Sequence, residues 1–255
     1  MIVKTDAIVL RGMKYGETSR ILTLYTRDYG RMSVIVKGAR GAKSRFGAAL
    51  DVMSHSAVVI YRKEQRELQL LTQADLITPY RGISADPERL MYGFALLEFI
   101  LATVHGEEAH EDLYDVLASS LAALDAVHAR PAPVLLQYLL RLIHALGLAI
   151  DVRHCVRCRA DFSDERTLRV HAAFSELQGG FTCAECSPAP DSLRVHVETA
   201  AALRWLDQHP IGQASTLALS DRAAKEGLAL LQRHLRGHLP EMRQVKSLAM
   251  LDLFS

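Results

Sequence analysis

The feature that most constrains the fold of this chain is a change of hydrophobic period about a third of the way along it. Up to about residue 80 the apolar residues come in short runs: Ile2, Ala7–Leu10, Ile21–Tyr25, Met32–Val36, Ala57–Tyr61 and Leu68–Leu71. Turn or loop segments separate them at Arg11–Ser19, Asp28–Gly30, Gly38–Gly47 and Arg62–Arg66. From Asp86 the spacing becomes helical: Leu90, Phe94, Leu97, Leu101 and Val104 follow an Asp-Pro start, and Asp112–Val127 repeats the pattern. Pro133 opens Val134–Leu148, ended by Gly147, and two further helices cover His196–His209 and Asp221–His238. A block of strands followed by a block of helices makes an α+β multi-domain chain, and the helical stripes are bundle core.

About five strands with one long, basic, Gly-rich connection fit a small closed barrel of the OB type, whose loops and one face bind oligonucleotides. An SH3-like barrel would give much the same string. The pattern places the barrel in residues 1–82 and an all-α domain in 83–255, with 151–188 as an inserted module.

That module holds every cysteine of the chain, Cys155, Cys158, Cys183 and Cys186, as CVRC and CAEC separated by twenty-four residues. A C-x-x-C turn aims two thiolates at one point, and two such turns complete a tetrahedron around Zn²⁺. The segment between them reads as two short strands, Thr167–Phe174 and Gly179–Phe181, around a turn. One structural zinc per chain follows, because four thiolates close the site to water. A disulfide pair does not suit a chain without a basic-then-apolar leader, and a redox site uses one C-x-x-C at a strand-to-helix junction. His154 and His171 read as surface histidines. No apolar run approaches the ~20 residues that span a bilayer, so a cytoplasmic protein is expected.

The net charge of +1 conceals a strong asymmetry. Residues 1–80 hold thirteen Lys/Arg against seven Asp/Glu, and residues 81–150 hold four against nine. Such a division points to an anionic partner for the basic part. Between Arg11 and Arg45 lie nine cations, among them Arg20, Arg31, Lys37, Arg40, Lys43 and Arg45, against only Glu17 and Asp28. Glycines and alanines around them let backbone amides approach phosphate. Tyr15, Tyr25, Tyr29 and Phe46 lie among the cations, and stacking of a base on an aromatic ring contributes about 1–3 kcal/mol. Arg20, Arg31, Lys37, Arg40, Lys43, Arg45 and Tyr15 are therefore the candidate DNA-binding residues. A merely solvated basic loop, with Tyr25 in the core, is the competing reading.

Catalytic patterns are absent from the sequence. Lys37–Ser44 would need glycines at 37 and 42 to be a phosphate loop. No G-x-G-x-x-G follows the first strand, and neither H-E-x-x-H nor G-x-S-x-G occurs. The acidic run Glu107, Glu108, Glu111, Asp112 and Asp115 reads as a solvated face rather than a Mg²⁺ site. The chain is expected not to be an enzyme.

The stretch Tyr15-Gly16-Glu17-Thr18-Ser19-Arg20-Ile21 … Thr26 … Gly30, leading to Lys37-Gly38-Ala39-Arg40, resembles the RecO family of recombination mediators. The likeness extends over nearly the whole chain. It implies an OB-fold N-terminal domain followed by a helical domain carrying the zinc module. It also implies binding of single- and double-stranded DNA, annealing of complementary strands, and action with the partner RecR. It further implies help in loading the RecA recombinase on strands coated by single-strand-binding protein, whose acidic C-terminal tail the family binds, in the cytoplasm at the nucleoid. Carried over by motif, the DNA-facing residues are Arg20, Lys37, Arg40, Lys43 and Arg45. The rival reading is a zinc-ribbon scaffold that contacts RNA or an acidic protein.

Overall fold

A computed structural model of the chain describes residues 1–41, 44–127, 130–163, 171–186, 192–239 and 246–247. Five strands, β1 (Ile2–Tyr15), β2 (Ser19–Thr26), β3 (Gly30–Val36), β4 (His55–Tyr61) and β5 (Leu68–Thr78), close into a barrel in the order β1-β2-β3-β5-β4. All pairs are antiparallel except β3 with β5, the crossover that a simple meander would lack. This is an OB-like five-stranded barrel.

The first strand is longer than the apolar runs imply. β1 continues through Arg11–Tyr15, which had read as a turn, because a register shift between Val9 and Arg11 lets one strand pair with β4 by its first half and with β2 by its second. The true turn is Gly16–Thr18, with Gly16 at φ 57°. Inside the barrel, Val3, Val9, Leu22, Leu24, Val34, Val36, Val58, Ile60 and Leu71 are buried together. A 3-10 turn at Gly47–Leu50 adds Ala49 and Leu50 to this core, and Phe46 just before it is also buried there.

Helices α1 (Arg81–Ala85), α2 (Pro87–Thr103) and α3 (Glu111–Ala126) follow the barrel. Asp86 caps α2 by accepting the Arg89 amide at 3.1 Å, with Pro87 in the first turn. The compact unit that contains the barrel runs to Leu121 and includes Lys246 and Ser247, the latter bonded to Glu98 through both its amide and its hydroxyl.

The second compact unit begins at Ala122. It holds α4 (Ala132–Ala145), α5 (Val197–Gln208), α6 (Asp221–His238) and a three-stranded antiparallel sheet in the order β7-β6-β8. Its strands are β6 (His171–Ser175), β7 (Gly180–Thr182) and β8 (Leu193–His196). The ribbon hairpin read between the cysteine pairs is β6–β7. The third strand, β8, had been read as loop and the start of a helix. Helix α4 ends where Gly147 takes φ 74° and the Leu148 amide reaches back to Ile143 O. On α4, Gln137 donates to Leu206 O and His209 O, and Arg141 donates to Asp207 O and His209 O. These bonds satisfy carbonyls left open at the C-terminal end of α5.

Candidate nucleic-acid interface and metal centre

The basic residues fall into two groups once placed on the barrel. One group lies at the rim where β1, β2 and β3 end. There Lys14 pairs with Arg20 and Arg20 with Val36, and the chain then enters the loop that begins at Lys37. That loop is a chain of tight turns: Gly38 at φ 71°, the Gly41 amide on Gly38 O, and the Ser44 amide on Gly41 O. Arg40 ties it to the β1–β2 turn, its amide donating to Thr18 O and its guanidinium to Gly16 O. Lys37, Arg40 and Arg45 are exposed, and Tyr15 is 53% exposed at the end of β1. Arg45 donates to Thr72 O at 2.7 Å and lies over the Phe46 ring. Bonds to carbonyls leave a cation its charge, and no ion pair with an acid involves Lys37, Arg40 or Arg45 among the described residues. Lys43 lies outside the described residues.

Other cations serve the scaffold. Arg31 is half-buried at the opposite end of β3 and donates to Leu101 O at 2.9 Å, in the last turn of α2. A guanidinium on a helix C-terminal carbonyl is a cap, and it places Arg31 at the end of β3 away from Lys37 and Arg40. Arg20 is partly committed: its guanidinium covers Gly12 and lies 3.8 Å from the Asp51 carboxylate. Arg27 pairs with Asp115 at 3.0 Å and Glu111 at 3.7 Å, and Arg62 with Glu107 at 2.9 Å. Glu108, Glu111, Asp112 and Asp115 are exposed, as a solvated face requires, and Glu107, Glu111 and Asp115 of the same run also pair with barrel arginines.

The aromatic residues divide in the same way. Tyr25 is fully buried and donates its hydroxyl to His110 O, and burial raises its pKa. Phe46 fills the barrel core, and Tyr29 packs against that core with the Arg62 guanidinium over its ring. Of the four aromatics read as stacking candidates, Tyr15 alone offers an open face. Sequence reasoning placed nothing on the β4–β5 connection. There the buried Gln69 side chain accepts from the Lys63 amide and donates to Lys63 O and Arg66 O, holding a turn that presents Lys63 and Arg66 to solvent.

In the second unit the four cysteines converge, their sulfurs all within 4.8 Å of one another and none in a disulfide. The first knuckle is held from several sides. Asp151 accepts the Arg153 and His154 amides, the Cys155 amide reaches Ala160 O, and the Val156 amide reaches Phe181 O on β7. Gly180 permits this approach, since a Cβ there would lie 2.6 Å from Asp151 O. Burial would raise the Cys155 thiol, but the amides of Cys158, Cys183 and Arg157 outweigh it and hold it at about 6. Cys186 is pushed up to about 12, chiefly by its bonds to Cys158 and Cys183. Four sulfurs packed this closely can all ionise only with a cation among them.

The chain matches the model of the family "Recombination protein O N terminal" over residues 1–80 and that of "Recombination protein O C terminal" over residues 84–249. The chain belongs to the RecO family. It is 35% identical over 258 residues to the DNA repair protein RecO of Nocardioides sp., covering 99% of this chain and all of that one. Against RecO of Chloroherpeton thalassium it is 30% identical over 251 residues, covering 97% and 96% of the two chains. RecO of Rhodopirellula baltica is 34% identical over 216 residues, 83% of this chain and 77% of that protein. The N-terminal model coincides with the barrel, and the C-terminal model spans α2 to α6 and the cysteine centre. No helix among the described residues is long and apolar enough to cross a membrane.

Proposed function

We propose that this RecO-family chain is a recombination mediator that holds DNA without making or breaking a covalent bond. In this reading the barrel rim binds single and double strands through phosphate, at Lys37, Arg40, Lys43 and Arg45, with Tyr15 stacking on a base. Two complementary strands repel through their phosphates, and a cationic surface that holds each of them lowers that barrier by screening and proximity. Annealing follows. Action with RecR, contact with the acidic tail of single-strand-binding protein, and loading of RecA on the coated strand at the nucleoid belong to the same reading. The observation that carries it is the rim itself, where Lys37, Arg40 and Arg45 are exposed beside Tyr15 with no ion-pair acid among the described residues.

The cysteine centre holds one structural zinc in this proposal. The donor set supports it: four thiolates at tetrahedral reach suit Zn²⁺, and a closed site leaves no position for a reacting water. Its contribution is to fold the β6–β7 ribbon against the first knuckle.

Titration of labelled single-stranded oligonucleotides in rising salt tests the binding, with steep salt dependence and little sequence preference expected. Annealing of complementary strands precoated with single-strand-binding protein tests the mediator role. Failure of the chain to accelerate that annealing, alone or with RecR, would overturn it.

A further inference from the structure

The two cysteine knuckles are not symmetric. Cys155 is fully buried and Cys183 nearly so, Cys186 is half-buried, and Cys158 is exposed. The Cys155 sulfur is engaged as an acceptor, taking the Cys183 amide across the centre at 3.3 Å. The Cys158 sulfur stands 3.5 Å from that of Cys183, on the other knuckle. An exposed sulfur is thus set beside a buried one, and the pair spans the centre rather than lying within one C-x-x-C turn.

Bonds that need no metal hold the knuckles in this position. The Asp151 amide donates to Gly179 O at 2.8 Å and the Val156 amide to Phe181 O at 2.9 Å, which ties the first knuckle to β7. That knuckle also closes on itself. The Arg159 amide reaches Cys155 O at 2.9 Å, Arg159 takes φ 63°, and its guanidinium lies 2.6 Å from the Asp151 carboxylate. The second knuckle closes through the Cys186 amide on Cys183 O at 3.2 Å. Within this frame the Cys158 and Cys183 sulfurs need to approach by about 1.5 Å to reach bonding distance, and an exposed side chain has room for that movement.

We propose that the centre exchanges its metal for a Cys158–Cys183 disulfide when a hydroperoxide reaches it. The inference rests on the reading of the centre as a zinc site, and the test separates the two. The exposed Cys158 thiolate attacks one peroxide oxygen: an S–O bond forms, the O–O bond breaks, hydroxide leaves, and a sulfenic acid results. The Cys183 thiolate then attacks that sulfur, the S–S bond forms, and a second hydroxide leaves. The two sulfurs together give up two electrons, the peroxide takes them, and the metal ion keeps its charge. Cys155 and Cys186 remain as thiolates, too few to complete a tetrahedron, so the ion is released. The new bond joins the same two segments that the four sulfurs joined through the ion. One cross-link therefore replaces another, and reduction by a dithiol restores the original set.

The test uses the full-length, zinc-loaded chain treated with hydrogen peroxide. A chromogenic chelator reads the released metal, and mass spectrometry maps the cysteines before and after reduction. One zinc should leave for every two thiols lost, with Cys158 joined to Cys183 and with Cys155 and Cys186 still open to alkylation. The oxidised chain should melt above reduced chain stripped of metal by a chelator, and equal melting would overturn the replacement of one cross-link by another. Cys158→His keeps a metal ligand but removes the exposed thiol, so it should release zinc at least about ten-fold more slowly. Release at the wild-type rate would refute attack at Cys158. Should that variant hold no zinc, the order of modification in the wild type decides: Cys158 ahead of the other three supports the proposal, and any other cysteine first refutes it. A zinc-bearing chain that pairs Cys158 with another cysteine, or passes to sulfinic acid without a cross-link, sinks the exchange and leaves the zinc reading standing. A chain that holds no zinc, either as purified or after reconstitution, ends both.

Discussion

Replacing Lys37 and Arg40 together by alanine is the sharpest probe of the basic rim. Each cation that neutralises a phosphate on a single strand adds about 0.7 to the magnitude of the slope of log K against log salt. Lys37 is exposed with no ion pair among the described residues, and the Arg40 guanidinium keeps donors free after its bond to Gly16 O. The pair should therefore lower the slope by about 1.4, if both touch phosphate. Taking the electrostatic part to vanish near 1 M salt, that slope corresponds to about 25-fold weaker binding at 0.1 M. The loss should be similar for all base compositions, because phosphate contacts carry no sequence information. Fluorescence anisotropy at several salt concentrations reads both quantities. Lys225→Glu on α6 is the control, since Lys225 is exposed, whereas Arg222 beside it is engaged with Glu198 and would confound the comparison. An unaltered slope and affinity in the double variant would mean that the loop is a solvated turn and that DNA binds elsewhere.

Three further perturbations bear on the scaffold. Gly30 has φ 64°, and a Cβ there would run into the Glu108 carbonyl, so Gly30→Ala should destabilise the first unit by about 3 kcal/mol or more; an unchanged melting temperature would contradict that packing. Atomic emission should find about one zinc per chain, and Cys155→Ser should lose it and melt earlier, while the salt slope of the folded fraction stays as in the wild type. Burial lowers the pKa of His234, whose Nε2 faces Leu148 O with His238 and Glu176 nearby. The folded state then binds fewer protons than the unfolded state below about pH 6.5, so stability should fall as pH drops through that range. His234→Leu should make the melting temperature less steep in pH between 7 and 5, and an equally steep profile would show that other groups dominate.

The barrel was legible because alternation survives in the middle of each strand: Met32, Val34 and Val36 point inward with Ser33 and Ile35 between them. The second half of β1 was not, because the shift after Val9 changes the alternation and Arg11, Gly12 and Lys14 carry no apolar signal. Strand β8 was hidden by its four-residue length and by the helix that begins at the next residue. The cysteine centre was legible from spacing alone, since C-x-x-C geometry is local. The outward apolar residues of the barrel were not, although a hint existed: Ile21-Leu22, Ile35-Val36, Ile60-Tyr61 and Leu70-Leu71 are apolar on both faces of strands that have solvent on one. What the sequence lacks is register, which alone aligns residues from five strands.

Thirteen cations against seven acids in residues 1–80 invite an external anion, and in sequence the deficit in 81–150 reads as another domain. The compact unit erases that division. Arg27 and Arg62 pair with Glu107, Glu111 and Asp115, Arg31 caps α2, and Arg20 leans toward Asp51. Much of the apparent surplus is therefore an internal contact between the barrel and the start of the helices. Among the described residues, what remains at the surface is a smaller set, Lys4, Arg11, Lys14, Lys37, Arg40, Arg45, Lys63 and Arg66, all exposed. Substituting Arg31 or Arg62 should thus cost stability and leave the salt slope alone, whereas substituting Lys37 should do the reverse. A cation count cannot make that distinction, because an arginine on a carbonyl seventy residues away looks in sequence like one waiting for phosphate.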